Sequence, residues 1–225
     1  MTVTTMKKNY LLILLCIIVS IFVWTAEYQS IVKRETVERY LMFSGDNLLQ
    51  GRIWTPATAL FVHGDPAHLI GNMFFLYVFG NTLEDVVGAK KTVAVFFFGG
   101  ISSFLLSLLF YPLDLLMIGA SAAIFTVTAA VMLAKPLKFS MLFMLPVGLV
   151  AIVYFIYNLV AVYYEVGGNV AYASHLIGFI LGIPFGIAFG PKWARNLLIT
   201  IALLILYVTV TLALSTFFSF NLGPF

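Results

Sequence analysis

An all-α polytopic membrane protein is the fold class this sequence predicts, and three observations point to it. Of the 225 residues, 62% are hydrophobic and only 9% are charged. A soluble domain carries roughly 25% charged residues, so this chain has too few to cover a water-facing surface. The apolar residues gather in runs near the length a helix needs to cross a bilayer, and short charged clusters separate those runs.

Seven spans are expected. Residues 10–26 form the first, a run too long, and too poor in a small-residue cleavage site, to resemble a removable signal peptide. The second, 67–82, is opened by Asp65 and Pro66, an N-cap followed by a first-turn proline. The third, 92–111, follows Lys90 and Lys91. The fourth, 118–134, opens in the small-residue stretch "MIGASAAIFTV". The fifth, 139–163, follows Lys135 and Lys138. The sixth, 170–189, carries the first three of four glycines spaced by four residues, at 178, 182, 186 and 190. The seventh, 196–220, follows Lys192 and Arg195. One domain over residues 1–225 is expected, with a six-span core at 10–189 and the last span appended to it.

Sidedness follows from the basic residues. With alternating spans, Lys7, Lys8, Lys90, Lys91, Lys135, Lys138, Lys192 and Arg195 share one side. The other side holds only Lys33, Arg34, Arg39 and Arg52, all in one long first loop that also carries acids. Basic loops stay in the cytoplasm, so a cytoplasmic N-terminus and an outside C-terminus are expected, in a cell membrane. The net charge of +3 sits at span ends and offers no surface for nucleic acid. A single cysteine, Cys16 in the first span, excludes a disulfide framework and a cysteine-based metal site.

Depth then brings a few polar residues to one level. The second, fourth and sixth spans all enter from outside. That places His68 in the first turn of the second span, with Asn72 one turn deeper on the same face. Ser121 lies near the outer end of the fourth span, and His175 about one and a half turns into the sixth. Small residues such as Ser121 usually serve close helix packing. An ionisable residue inside a span, in contrast, is a functional candidate by default. His63 falls in the loop before the second helix and is given no catalytic role.

Serine hydrolysis fits these residue types. A serine hydroxyl needs a base within hydrogen-bond reach, most often histidine, and the developing oxyanion needs fixed donors. A helix N-terminus supplies free N–H groups beside Ser121, and Asn72 and His68 can add side-chain donors. All nine carboxylates fall in loops or at span ends. Asp114 and Glu165 could approach from outside, but neither is placed behind His175, so a Ser–His dyad is expected. The glycine face that includes Gly178 and Gly182 would let the sixth helix press against "GASAA" and bring the pair together. Three histidines without acids at span depth make a poor metal site, and no cofactor is expected.

The H-x4-H-x3-N pattern of "HGDPAHLIGN", the G-x-S of "GAS" and the H-x2-G-x3-G of "HLIGFILG" occur in that order on the second, fourth and sixth spans. Together they resemble the rhomboid family of intramembrane serine proteases, in its six-plus-one form. The resemblance implies that Ser121 is the nucleophile, His175 its base, His68 and Asn72 the oxyanion side, and Gly119 the glycine of G-x-S. It also implies single-span membrane proteins as substrates, cut near or within the span at small residues. The first loop, 27–65, is similar to the membrane-embedded first loop of the family. The chain departs from the family pattern at Ala122, often glycine, and at Phe125, commonly tyrosine. Its first loop also lacks an intact Trp-Arg pair, since Thr55 follows Trp54 and Arg52 comes two residues earlier.

Two other classes stand beside the protease. A silent rhomboid-like protein would escort membrane clients, against which both Ser121 and His175 are retained. A transporter with a histidine proton relay would be expected to show acids inside spans or inverted repeats, and neither is visible.

Overall fold

The computed structural model describes residues 7–166 and 170–222; residues 1–6, 167–169 and 223–225 of the expected single domain lie outside the described part. Regular structure among the described residues is helical apart from one short hairpin and an isolated bridge between Phe43 and Met117. Helix α1 (Asn9–Tyr28) is followed by a folded loop with three short helices, α2 (Arg34–Tyr40), α3 (Gly45–Leu49) and α4 (Thr55–Thr58), and a 3₁₀ turn at Ala59–Phe61. Helix α5 (Pro66–Phe75) passes through a π-turn, Leu76–Gly80, into α6 (Asn81–Val87). Then come α7 (Ala89–Ser107), α8 (Ser121–Ala134), strands β1 (Phe139–Ser140) and β2 (Leu145–Pro146), α9 (Val147–Tyr163), α10 (Tyr172–Phe189) and α11 (Trp193–Leu222). Helices α1, α7, α10 and α11 are each long and apolar enough to cross a membrane, while α8 and α9 are shorter apolar helices.

Helix α8 is the centre of the molecule. Every residue from Ala122 to Leu133 is buried, as suits a helix that is apolar all round. Glycines on both neighbours let backbones approach it. A Cβ on Gly99 of α7 would run into Thr126, and one on Gly100 would sit 2.9 Å from Ala123 Cβ. On α10, Gly178 faces Ala122 O and Gly182 faces Thr126 O, both too close for any side chain. Gly186 and Gly190 continue the contact, with an added Cβ 2.8 Å from Leu133 Cβ and 2.7 Å from Leu133 O. Thr126 Oγ1 also donates to Gly178 O at 2.9 Å, so the smooth face carries one cross-helix hydrogen bond.

Helix α8 is short for a span: fourteen residues rise about 21 Å, against a hydrocarbon thickness of about 30 Å. At its C-terminal end Asn196 of α11 donates to Leu133 O at 2.7 Å and Ala134 O at 3.1 Å.

The charged ends of three segments meet on one face. Glu84 accepts from the backbone N–H groups of Lys8 and Asn9, both at 2.8 Å, and so caps the first turn of α1. Asp85 pairs with Lys7 at 2.7 Å and with Lys138 at 3.3 Å. Buried Asn9 donates to Leu76 O at 2.9 Å within the π-turn. Gly80 makes room for it, since a Cβ there would sit 2.6 Å from Asn9 Cγ.

Several boundaries differ from the sequence expectation: the second span continues through the π-turn and α6 to Val87 rather than ending at 82, and the third is Ala89–Ser107 rather than 92–111. The run at 139–163 is not one helix: its first eight residues form the β1–β2 hairpin, Phe139 opposite Pro146, and α9 starts at Val147. Pro146 takes φ −61° and ψ 135°, an extended conformation, and proline also disfavours helix at the residue before it. The fourth helix starts at Ser121 rather than 118, because Gly119 has φ +103° and cannot belong to a right-handed helix.

Candidate active site

The strap before Ser121 is fixed at successive residues. Met117 pairs with Phe43 of the first loop through two backbone hydrogen bonds of 2.7 and 3.1 Å. Gly119 N donates to Ala59 O at 2.8 Å. Ala120 N approaches His63 Nε2 at 3.4 Å. The His63 ring is buried, with Nδ1 3.0 Å from Ser20 Oγ, and Ser20 spends its one proton on Phe61 O at 3.0 Å. Nδ1 is therefore the donor and Nε2 the acceptor facing Ala120. His63 braces the backbone next to Ser121.

The first loop holds that strap in place. Asn47 Nδ2 donates to Glu38 O and Met42 O at 2.8 and 2.9 Å. Arg52 Nη1 reaches Asn47 Oδ1 at 2.8 Å while its guanidinium stacks over Tyr40 at 5.4 Å. Trp54 Nε1 donates to Tyr40 O at 3.0 Å. Arg52 and Trp54, although not adjacent, thus lock the same part of the loop.

Ser121 is the first residue of α8, and His175 sits in the first turn of α10. His175 Nε2 lies 2.7 Å from Ser121 Oγ. The histidine ring stacks on Phe125, with centroids 4.7 Å apart and planes at 11°, and Tyr154 stacks on Phe125 at 4.7 Å. Phe125, one helical turn beyond Ser121, therefore supplies the flat support without a hydroxyl. The start of α10 is tied to α7 by the contact of Ser174 Oγ with Ser107 Oγ at 2.6 Å. Tyr111 Oη, just beyond α7, accepts from Ala173 N at 3.1 Å.

His68 and Asn72 line the same cavity as Ser121. Asp65 caps α5 by accepting from His68 N at 2.8 Å. Gly64 N approaches His68 Nδ1 at 3.4 Å, which leaves Nε2 to carry the proton. A Cβ on Gly119 would lie 2.7 Å from His68 Nε2 and 3.6 Å from Asn72 Nδ2. Only glycine keeps this space open between the two donors and Ser121. All four residues line a single cavity of about 880 Å³.

A further residue joins them that the sequence reading passes over. Asn158 of α9 is fully buried, and its Oδ1 lies 2.8 Å from His175 Nδ1. A search for a third partner among carboxylates misses it, and Asp114 and Glu165 are both exposed. The available signal is a lone asparagine in the apolar run "YFIYNLVAV".

A many-helix membrane fold that brings buried His175 within 2.7 Å of Ser121 defines the class. The family model described as "Rhomboid domain" matches residues 50–192, well over half of the chain. The chain belongs to the rhomboid family. It is 37% identical to "Rhomboid-like protein 11, chloroplastic" of Arabidopsis thaliana over 78 residues, 35% of this chain and 28% of that protein. It is 28% identical to "Rhomboid-like protease 3" of Toxoplasma gondii over 162 residues, 65% of this chain and 57% of that protein. The matched stretch thus spans less than two thirds of either relative.

Proposed function

We propose that this chain is an intramembrane serine endopeptidase that cuts the transmembrane segments of single-span membrane proteins. The observation that carries this reading is the 2.7 Å contact between Ser121 Oγ and His175 Nε2, with the His68 and Asn72 donors converging across Gly119. As Oγ attacks a scissile carbonyl, its proton passes to Nε2. The oxyanion turns toward His68 Nε2–H, Asn72 Nδ2–H and the free N–H groups at the start of α8. His175 then returns the proton to the leaving amine, and water releases the acyl group by the same steps in reverse. These groups complete the chemistry without a metal or cofactor.

Cleavage of a single-span reporter protein in reconstituted vesicles tests the reading. Ser121→Ala and His175→Ala are each expected to abolish cutting while leaving the fold intact. The double variant should be no worse than either, because the pair acts as one unit. Appreciable cutting by Ser121→Ala would refute the mechanism; no cutting by the parent would favour a client-binding role.

The N-terminus is proposed to face the cytoplasm and the C-terminus the outside of a cell membrane. The Lys7–Asp85–Lys138 cluster supports one shared face for those basic residues. With Cys16 replaced, a cysteine beside Glu165 should react with impermeant thiol reagents from outside, and one beside Lys135 should not. The reverse pattern would invert the assignment.

A further inference from the structure

The geometry points to Asn158 as a positioning residue that fixes the tautomer of His175; this inference rests on the hydrolase reading above. The Asn158 amide has only one workable orientation. Its Nδ2 donates to Tyr154 O at 2.8 Å, and a carbonyl can only accept. Oδ1 must therefore be the atom 2.8 Å from His175 Nδ1, and it too can only accept. Nδ1 then carries the ring proton, and Nε2 presents its lone pair to Ser121 Oγ at 2.7 Å. One carbonyl on α9 thus decides, through two hydrogen bonds, which way the proton of Ser121 can move.

Asn158 is fully buried, so no water competes for Oδ1. Phe125 covers one face of the imidazole, and Tyr172 meets it edge-on at 6.3 Å. The ring is held by stacking in one direction and by Asn158 in its own plane. A buried carboxylate would offer the same acceptor, but a charge inside the bilayer is costly without a partner. A neutral amide orients the base without that charge. The titratable groups that face His175 are His68 from α5, Tyr154 from α9 and Tyr172 from its own helix, with Asp65 and Arg34 further out along the cavity wall. No carboxylate takes the place of Asn158 at Nδ1.

Two measurements test this. The first uses the unmodified protein: ¹⁵N spectra of labelled histidine rings, with the His175 signals assigned by their loss in His175→Ala. Protonated Nδ1 and unprotonated Nε2 are expected at neutral pH; a proton resident on Nε2 would overturn the inference. The second is Asn158→Leu, which keeps the branched shape and heavy-atom count and removes the acceptor. Its kcat per folded molecule should fall about 10²-fold, the lower range of what a positioned base contributes. KM should stay within about twofold, because substrate binding is untouched. The His175 ring should then show a mixture of tautomers. An unchanged kcat in Asn158→Leu, with the parent active, removes Asn158 alone. An inactive parent overturns the hydrolase reading, while the ring spectra still decide the tautomer.

Discussion

Asn72 is buried one turn below His68, and its amide nitrogen points at the space that Gly119 keeps clear. If it donates to the oxyanion, Asn72→Ala should lower kcat by about 10²–10³, the cost of losing one such donor. KM should barely move, since that charge develops only in the transition state. A role limited to bonding between helices would instead cost roughly 0.6 kcal/mol of stability and leave turnover per folded molecule unchanged. Measuring kcat and melting temperature on one preparation separates the two. The residues that stood out in the sequence did so because ionisable or amide groups are rare at span depth, and Ser121, His175, His68 and Asn72 do line one cavity. Asn158 escaped for a physical reason. Asparagine in a span usually bonds across helices, and nothing in a linear sequence says that this one faces an imidazole on another helix.

The α8–α10 contact turns glycine spacing into the approach of His175 to Ser121. Gly178 lies one turn from His175 against Ala122 O, and Gly186 lies two turns further along the same face against Leu133. Alanine at either position must push the helices apart, and overpacking costs roughly 1–3 kcal/mol. Both variants should therefore melt earlier. Only Gly178→Ala should also lose turnover per folded molecule, by about 10²-fold, because a displacement near 1 Å at the reacting groups has that effect. Equal turnover in the two variants would assign the glycines to stability alone. The glycine ladder was legible from its four-residue period. The β1–β2 hairpin and the π-turn at Leu76–Gly80 were not. The hairpin is as apolar as a span, and the π-turn depends on Asn9, which lies more than 60 residues earlier in the sequence.

At the scale of the whole molecule, helix length is the controlling quantity. A short central helix is surrounded by longer ones, and the first loop is clipped to the strap that leads into it. Helix α11 adds little to this centre: it is anchored through buried Asn196 and Thr200 and is otherwise mostly exposed along its described side chains. The fold class and the order of the apolar runs were legible because hydrocarbon thickness dictates run length. The internal folding of residues 29–65 was not. Short helices in a loop follow from partners such as Asn47 and Met117 rather than from periodicity. The proposed function requires Ser121 to be an activated hydroxyl, and its reaction with a serine-directed phosphonate reads that reactivity without any substrate. In the folded protein the label is expected on Ser121 alone, and His175→Ala should abolish it. A label spread over other serines, or one on Ser121 that is indifferent to the loss of His175, would contradict the claim.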